Sequence, residues 1–261
     1  MKLLFDTGGT RLTFAAVDSG SIVNAGAMAW ADMSSTECVR TLVDAFPWLA
    51  SPFISLHQLK RPTPPAAPAD WFGRLAENMP WDNATCRTLD PVGEAPFDIA
   101  YGEGQAGADR IAAAVACHAK DAGGSFIIID AGTCITVDLL SPGVWRGGAI
   151  MPGLALQAAA AHRAGLPEIR PSASGAWEME WGAEGALGQD TEGALKAGIP
   201  WSIRQSVGAL ARALKELDPC AQVVLTGGDA GHFDGLEGWQ TFADPNLVLQ
   251  GGALLLNTET P

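Results

Sequence analysis

The sequence predicts a mixed α/β protein built from two similar halves. Three observations carry this. The N-terminal stretch "LLFDTGGTRLTFAAVD" and the internal stretch "FIIIDAGTCITVD" share one shape, an apolar strand that ends on a carboxylate and enters a small-residue turn. Setting Asp6 over Asp130 aligns Phe5 with Ile129, Gly8 with Gly132 and Gly9 with Thr133. Each half opens on antiparallel-looking strands and continues into segments of helical spacing. The pattern is not a serial βαβ arrangement, so no dinucleotide fingerprint is expected, and no G-x-x-x-x-G-K-[ST] occurs.

The first half reads as strands over Lys2–Phe5 and Arg11–Val17, a turn at Asp18–Ser21, and a third strand from Ser21. Cys38, Leu42, Val43 and Phe46 give residues 36–46 helical spacing, with Thr36 as a cap. Residues 52–59 read as a strand. The stretch "RPTPPAAPAD" at 61–70 holds too many prolines for a regular element and reads as a surface connection. Residues 71–79 read as a short helix, and Ala108–Ala119 as an Ala-rich helix after a loop. In the second half, the strand at 126 is followed by a hairpin return at 143–153. Helices are expected at 154–164 and about 191–215, and "AQVVLTGGDA" reads as another buried strand ending in glycines. The domains expected are 1–115 and 116–261.

The 261 residues are 48% hydrophobic and 17% charged, a globular composition that excludes a disordered chain. The net charge is −13 and no stripe of Lys and Arg occurs, so neither nucleic acid nor an anionic membrane is the expected partner. Five scattered cysteines without a C-x-x-C point to reduced thiols, not to disulfides or a zinc knuckle. No signal peptide and no membrane-length apolar run is seen, and the expected location is the cytoplasm. His57, His118, His162 and His232 share no ligand spacing. The nine tryptophans are most simply packing and interface residues.

A turn of Gly and Thr exposes successive backbone N–H groups that cradle an anion, and the carboxylate before it holds a neutralising cation. Two such turns facing each other across a cleft would grip a polyphosphate, and phosphoryl transfer needs positioning above all. Either turn alone reads as an ordinary D-x-G turn; it is the pair, with a third glycine turn after a buried strand, that favours the phosphate reading. The third glycine turn, Thr226–Asp229, suits an adenosine-side contact or a plain strand-to-helix turn. In "GADR", Asp109 either caps a helix or serves as a general base beside an alcohol, with Arg110 fixing an anionic group. Tyr101, the only tyrosine, lines the same pocket or simply packs.

The motifs "DTGGT", "YGEGQAGADR", "IIIDAGTCITVD", "GGAIMPGLALQ", "GLP", "GQDTEGALKAG" and "VVLTGGDA" occur in the order seen in type III pantothenate kinases, and the chain resembles that family from Leu3 to Leu255. The resemblance implies two duplicated RNase H-like domains of the acetate and sugar kinase/Hsp70/actin type with an interdomain cleft. It implies ATP-dependent phosphorylation of pantothenate, the first step of coenzyme A synthesis, by a homodimer. Asp6, Thr7, Gly8, Gly9, Thr10, Arg11, Leu12, Thr13 and Thr133 would contact ATP, carried with Mg²⁺. Asp109 would be the general base. Tyr101, Gly107, Ala108, Asp109, Arg110 and Thr191 would surround pantothenate, Thr191 across the dimer interface. Asp130 would help bind a monovalent cation, potassium or ammonium. The family's first turn usually reads D-x-G-N-[TS]-x-x-K; here Gly9 stands for the Asn and Thr13 for the Lys, and the loop before Leu166–Pro167 lacks the usual threonine. The alternatives are a homologue that binds a nucleotide or ligand as a regulator, and a kinase of the same superfold acting on another small alcohol.

Overall fold

A computed structural model describes residues 1–30, 43–50, 55–59, 72, 73, 77, 85–171, 177, 184–236 and 241–256. The expected helix at 36–46 falls outside the described residues up to 42, as do the proline-rich connection at 61–70 and most of the 71–79 helix. The chain forms two compact units. Unit 1 comprises Met1–Gly123, Pro142–Gly147 and Asn246–Pro261; unit 2 comprises Gly124–Ser141 and Gly148–Pro245. Position 115 lies inside helix α1 (Ala108–Lys120), so the first passage between the units comes just after this helix and not within it.

Unit 1 is organised by a five-stranded sheet of β1 (Lys2–Thr7), β2 (Arg11–Asp18), β3 (Ser21–Ala29), β4 (Ser55–Leu59) and β5 (Thr85–Leu89), in the order β3-β2-β1-β4-β5. The first three form an antiparallel meander, and β4 and β5 continue parallel to β1. A two-residue strand, β6 (Asp98–Ile99), pairs parallel with Val144 and Trp145 at the start of β9 (Val144–Pro152). Unit 2 is organised by β7 (Phe126–Ala131), β8 (Cys134–Ser141), the rest of β9, β10 (Gln222–Thr226) and β11 (Thr241–Ala243). Its order is β11-β10-β7-β8-β9, with β7–β8 antiparallel and β7–β10 and β10–β11 parallel. Read from the other edge this is the order of unit 1, strand for strand. The duplication expected from the two turns extends to this five-strand order, the pairing of β6 with β9 having no counterpart, and the mixed α/β class follows.

The central strands read as unbroken apolar runs because both faces of each sheet are covered. Leu3, Leu4 and Phe5 are buried, as are Ile127, Ile128 and Ile129. On one face of unit 1, α1 and α4 (Leu247–Leu255) complete a core of Leu4, Ala15, Val17, Leu59, Leu89, Ala112, Leu249 and Ala253. The two helices meet backbone to backbone: a Cβ on Gly251 would stand 1.8 Å from the Ala112 carbonyl oxygen. The other face carries an aromatic cluster, with Phe14 6.1 Å from Phe5 and 4.8 Å edge-on from Phe46. In unit 2, α3 (Thr191–Leu217) lays Ile203, Val207 and Ala211 against Ile127, Ile129, Val137 and Leu225. Helix α2 (Leu154–Arg163) follows β9 and buries Leu154 and Ala158.

The sequence-expected strands at Lys2, Arg11, Ser21 and 126, and the helices at 108, 154 and 191, all form, each within a few residues of its expected bounds. Strands β5, β6 and β11 were not expected. Two of them are only two and three residues long, too short to show a period of two.

One buried polar group in unit 1 has a titration consequence. His57, on β4, accepts or donates at Nε2 to Ser55 Oγ at 2.8 Å, while its Nδ1 is buried without a hydrogen-bond partner among the described residues. Burial, and then the positive charges of Lys2 and Arg87, hold the ring neutral and lower its pKa from 6.5 to about 4. The folded protein therefore takes up this proton later than the unfolded chain does as pH falls. His57 contributes its full stability above pH 6.5, and this is lost as pH falls from 6.5 toward about 4. His57→Leu is expected to flatten the decline of the thermal unfolding midpoint across that interval; an unchanged decline would assign it to other groups.

Candidate active site

In unit 1, Asp6 stands one residue before the end of β1, directly opposite Thr13 of β2. Asp6 and Thr7 are buried, while Gly9, Thr10 and Arg11 are exposed. A strand end places the carboxylate on a rigid support, and Trp30 helps to hold the turn beyond it. Trp30 donates from its indole Nε1 to the Gly8 carbonyl at 2.9 Å and from its backbone N–H to the Thr10 carbonyl at 3.0 Å. Fixing these carbonyls fixes the peptide planes of the turn, and so the direction of its N–H groups. Thr13 turns its hydroxyl back to the Asp6 carbonyl at 3.5 Å, the long limit for such a bond.

The GADR motif lies in the same unit. Gly107 is the N-cap of α1, with extended backbone and no side-chain cap. Asp109 occupies the first turn, where the helix dipole favours a negative charge. A Cβ on Gly107 would stand 2.7 Å from Asp109 Oδ1, so the carboxylate folds back over the cap. Arg110 is buried, with its guanidinium carbon 5.4 Å from the Tyr101 ring centroid and 4.9 Å from that of Trp145. The two rings stand 5.3 Å apart at 60° and form a corner around the cation. Tyr101, Gly107, Ala108, Asp109 and Arg110, named from the sequence, thus gather around the start of one helix.

In unit 2, Asp130 stands one residue before the end of β7, and Gly132–Thr133 form the turn into β8. Two other segments press on this turn. Gly153, the N-cap of α2, donates to the Thr133 carbonyl at 2.9 Å, and a Cβ there would stand 2.2 Å from the Gly132 carbonyl oxygen. Gly227, at φ +92°, approaches so closely that a Cβ would stand 2.5 Å from Asp130 Oδ1 and 2.3 Å from the Ala131 carbonyl oxygen. Asp229 N–H donates to that same carbonyl at 2.9 Å. The third glycine turn therefore abuts the second, both at the carboxyl ends of parallel strands, the ligand-binding end of open α/β sheets. Arg204 of α3 donates to the His232 carbonyl and, at 3.0 Å, to the Asp234 carbonyl, anchoring the segment after Gly227. Thr191 is exposed at the start of α3, beside the Asp190 cap that accepts from Gly193 N–H at 2.7 Å.

The two glycine turns differ by one residue. Gly8, Gly9 and Thr10 separate β1 from β2, whereas Gly132 and Thr133 alone separate β7 from β8. The alignment of Gly9 with Thr133 ends inside this difference.

A family model described as type III pantothenate kinase matches residues 76–213. A type III pantothenate kinase from Bacteroides fragilis is 31% identical over 98% of both chains. The chain belongs to the type III pantothenate kinase family. A Rhodopirellula baltica relative of the same name is 40% identical over 52% of this chain and 48% of its own. Among solved structures, a Baf-family protein from Campylobacter jejuni superposes with a TM-score of 0.57 at 19% identity, covering 98% of each chain. The ethanolamine utilization protein EutJ from Carboxydothermus hydrogenoformans gives 0.51 at 15% identity, covering 97% of this chain and 89% of that one. These likenesses show the fold.

This family member carries parts that sequence reasoning missed. Trp30 and Trp145 were counted with the packing tryptophans; their roles depend on hydrogen-bond and ring geometry that no spacing announces. Gly153 closes the expected hairpin return at 143–153, and its role at the turn is not evident from that. Its Pro152–Gly153–Leu154 context, a proline and a glycine just before a helix, was the available signal. Gly102, Gly104 and Gly107 do spell G-x-G-x-x-G, contrary to the expectation above. The spacing follows the two-residue β6, which pairs with β9 and opens no βαβ unit, so it lacks the context of a dinucleotide site. No group of three His, Cys, Asp or Glu side chains that could hold a metal occurs among the described residues. A single carboxylate beside a glycine turn still suits a magnesium ion that keeps its water and phosphate ligands.

The close packing at Gly153 has a measurable cost. Gly153→Ala is expected to displace the Gly132–Thr133 turn and destabilise the protein by about 1–3 kcal/mol. Gly198→Ala, on the exposed face of α3 with nothing within 4 Å, is expected to be neutral or stabilising by up to about 1 kcal/mol. Denaturant midpoints of the two variants against the parent check the contrast.

Proposed function

We propose that this chain transfers the γ-phosphoryl group of ATP to the primary hydroxyl of pantothenate, the first step of coenzyme A synthesis. The observation that carries the reading is the end-to-end match to a type III pantothenate kinase. The gathering of Asp109, Arg110 and Tyr101 at the start of α1 supports it.

Asp109 takes the proton of the acceptor hydroxyl as its oxygen attacks the γ-phosphorus, and ADP leaves with the electron pair of the broken P–O bond. Arg110 and Tyr101, with Gly107 and Ala108, hold pantothenate, and Arg110 receives its carboxylate. The glycine turns, Asp6–Thr13 and Thr133, are assigned to the nucleotide phosphates through their backbone N–H groups. Asp6 is suited to the water shell of a magnesium ion, which supplies charge neutralisation on the phosphates. Asp130 is assigned to a monovalent cation, potassium or ammonium. A homodimer in the cytoplasm completes the reading, with Thr191 reaching the pantothenate of the partner subunit. No described helix is long and apolar enough to cross a membrane.

A coupled assay with ATP and pantothenate, with and without potassium, tests the proposal; no turnover in either condition would reject it. Asp109→Asn is expected to lower turnover by about 10²–10⁴-fold while ATP binding, read by calorimetry, stays near the parent's. Full activity of that variant would remove Asp109 from the role of base.

A further inference from the structure

Arg110 is the cation assigned to the anionic acceptor, and one of its two ring neighbours, Trp145, lies outside the family motifs. Arg110 is 4% exposed. Its guanidinium carbon sits 4.9 Å from the centroid of Trp145, on β9, and 5.4 Å from that of Tyr101. Trp145 is fully buried and is in register with Ile99 of β6, a few residues before Tyr101. Its Nε1 has no hydrogen-bond partner among the described residues. A buried indole usually satisfies this N–H, so the ring sits here at some cost. Two residues on, Gly147 adopts φ +82°, and a Cβ there would stand 2.9 Å from Tyr101 Cδ2. Strand β9 thus presents an indole face to Arg110 and a bare backbone to Tyr101.

We infer that Trp145 is a positioning residue for substrate recognition: its ring sets the plane of the Arg110 guanidinium and thereby aims the N–H fork at the carboxylate of the acceptor. Contact with a ring face constrains the plane of a guanidinium, and that plane fixes the direction of its paired donors. Gly147 belongs to the same device, because only a residue without a side chain lets Tyr101 close the other wall of the corner. The carboxylate end of the acceptor is then the part the enzyme discriminates, and the selectivity comes from β9 as much as from the GADR segment.

The inference rests on the pantothenate reading and is tested by a measurement that needs no turnover. Pantothenate binding is followed by calorimetry in the parent, Trp145→Phe and Trp145→Leu. The same titration is made with the analogue in which the carboxylate is replaced by a hydroxymethyl group. A cation–π contact corresponds to between about twofold in affinity at an exposed site and about thirtyfold when desolvated. Trp145→Leu is expected to lose roughly tenfold for pantothenate and little for the analogue, with Trp145→Phe recovering most of the loss and ATP affinity unchanged in all three. Because truncating a buried indole can unfold the chain, a ring-fluorinated tryptophan installed at position 145 serves as the second variant. It keeps the shape and weakens the ring's pull on the cation, so pantothenate affinity should fall in the folded protein. Unchanged affinity in the fluorinated variant, or an equal loss for both acceptors, would overturn the inference. Parent protein that binds pantothenate but does not phosphorylate it would reject the proposed function alone, and parent protein that does not bind it would reject both.

Discussion

A carboxylate at the end of a buried strand is useful only if the backbone around it cannot move. In unit 2 close backbone packing contributes to that rigidity. Gly153 and Gly227 bring two further segments of main chain so close to the β7–β8 turn that a Cβ at either would overlap a carbonyl oxygen. Backbone packed on backbone has no rotamers to relax into, which is why the turn keeps its shape. The position of Asp130, the abutting of the third glycine turn and the start of α2 all follow from this packing. Unit 1 achieves the same end differently: the indole and amide of Trp30 hold two carbonyls of a turn one residue longer. The duplicated sheets thus carry similar turns secured by unlike means.

The contrast explains how much of the molecule was legible in the sequence. The two turns could be found because each combines a long apolar run, a carboxylate and small residues, features with a sharp local signature. From the turns came the duplication, and from the helical spacing of residues 108–119 and 191–215 came two of the principal helices. The unforeseen parts are those that depend on partners far away in the chain. Nothing near Trp30 says that its indole reaches Gly8, and nothing near Trp145 says that it faces Arg110. Strand β11 spans three residues and β6 two; such strands exist because an edge is available, not because their own residues demand it.

The candidate site shows the same division. The GADR residues and Tyr101 were gathered by motif and are gathered in space around the start of α1. The glycines that fix the second turn were visible as letters, but their purpose was not, since a glycine required by a close approach looks the same in sequence as one in an open loop. Gly165, with nothing within 4 Å, and Gly153, pressed against two carbonyls, illustrate the two cases twelve residues apart.

The route of the chain has a bearing on how the protein comes into being on the ribosome. Unit 1 begins with β1 but is finished only by α4, whose Leu249 and Ala253 join Leu4 and Ala15 in one core, and Lys2 Nζ reaches the Leu256 carbonyl at 2.8 Å. On this face Leu4 of nascent β1 is therefore covered first by α1, through Ala112, and by α4 only after the residues of unit 2 have been made. Unit 2 is assembled from residues that all leave the tunnel earlier. The half that starts first is closed last, and until then part of its apolar face is open to misassembly.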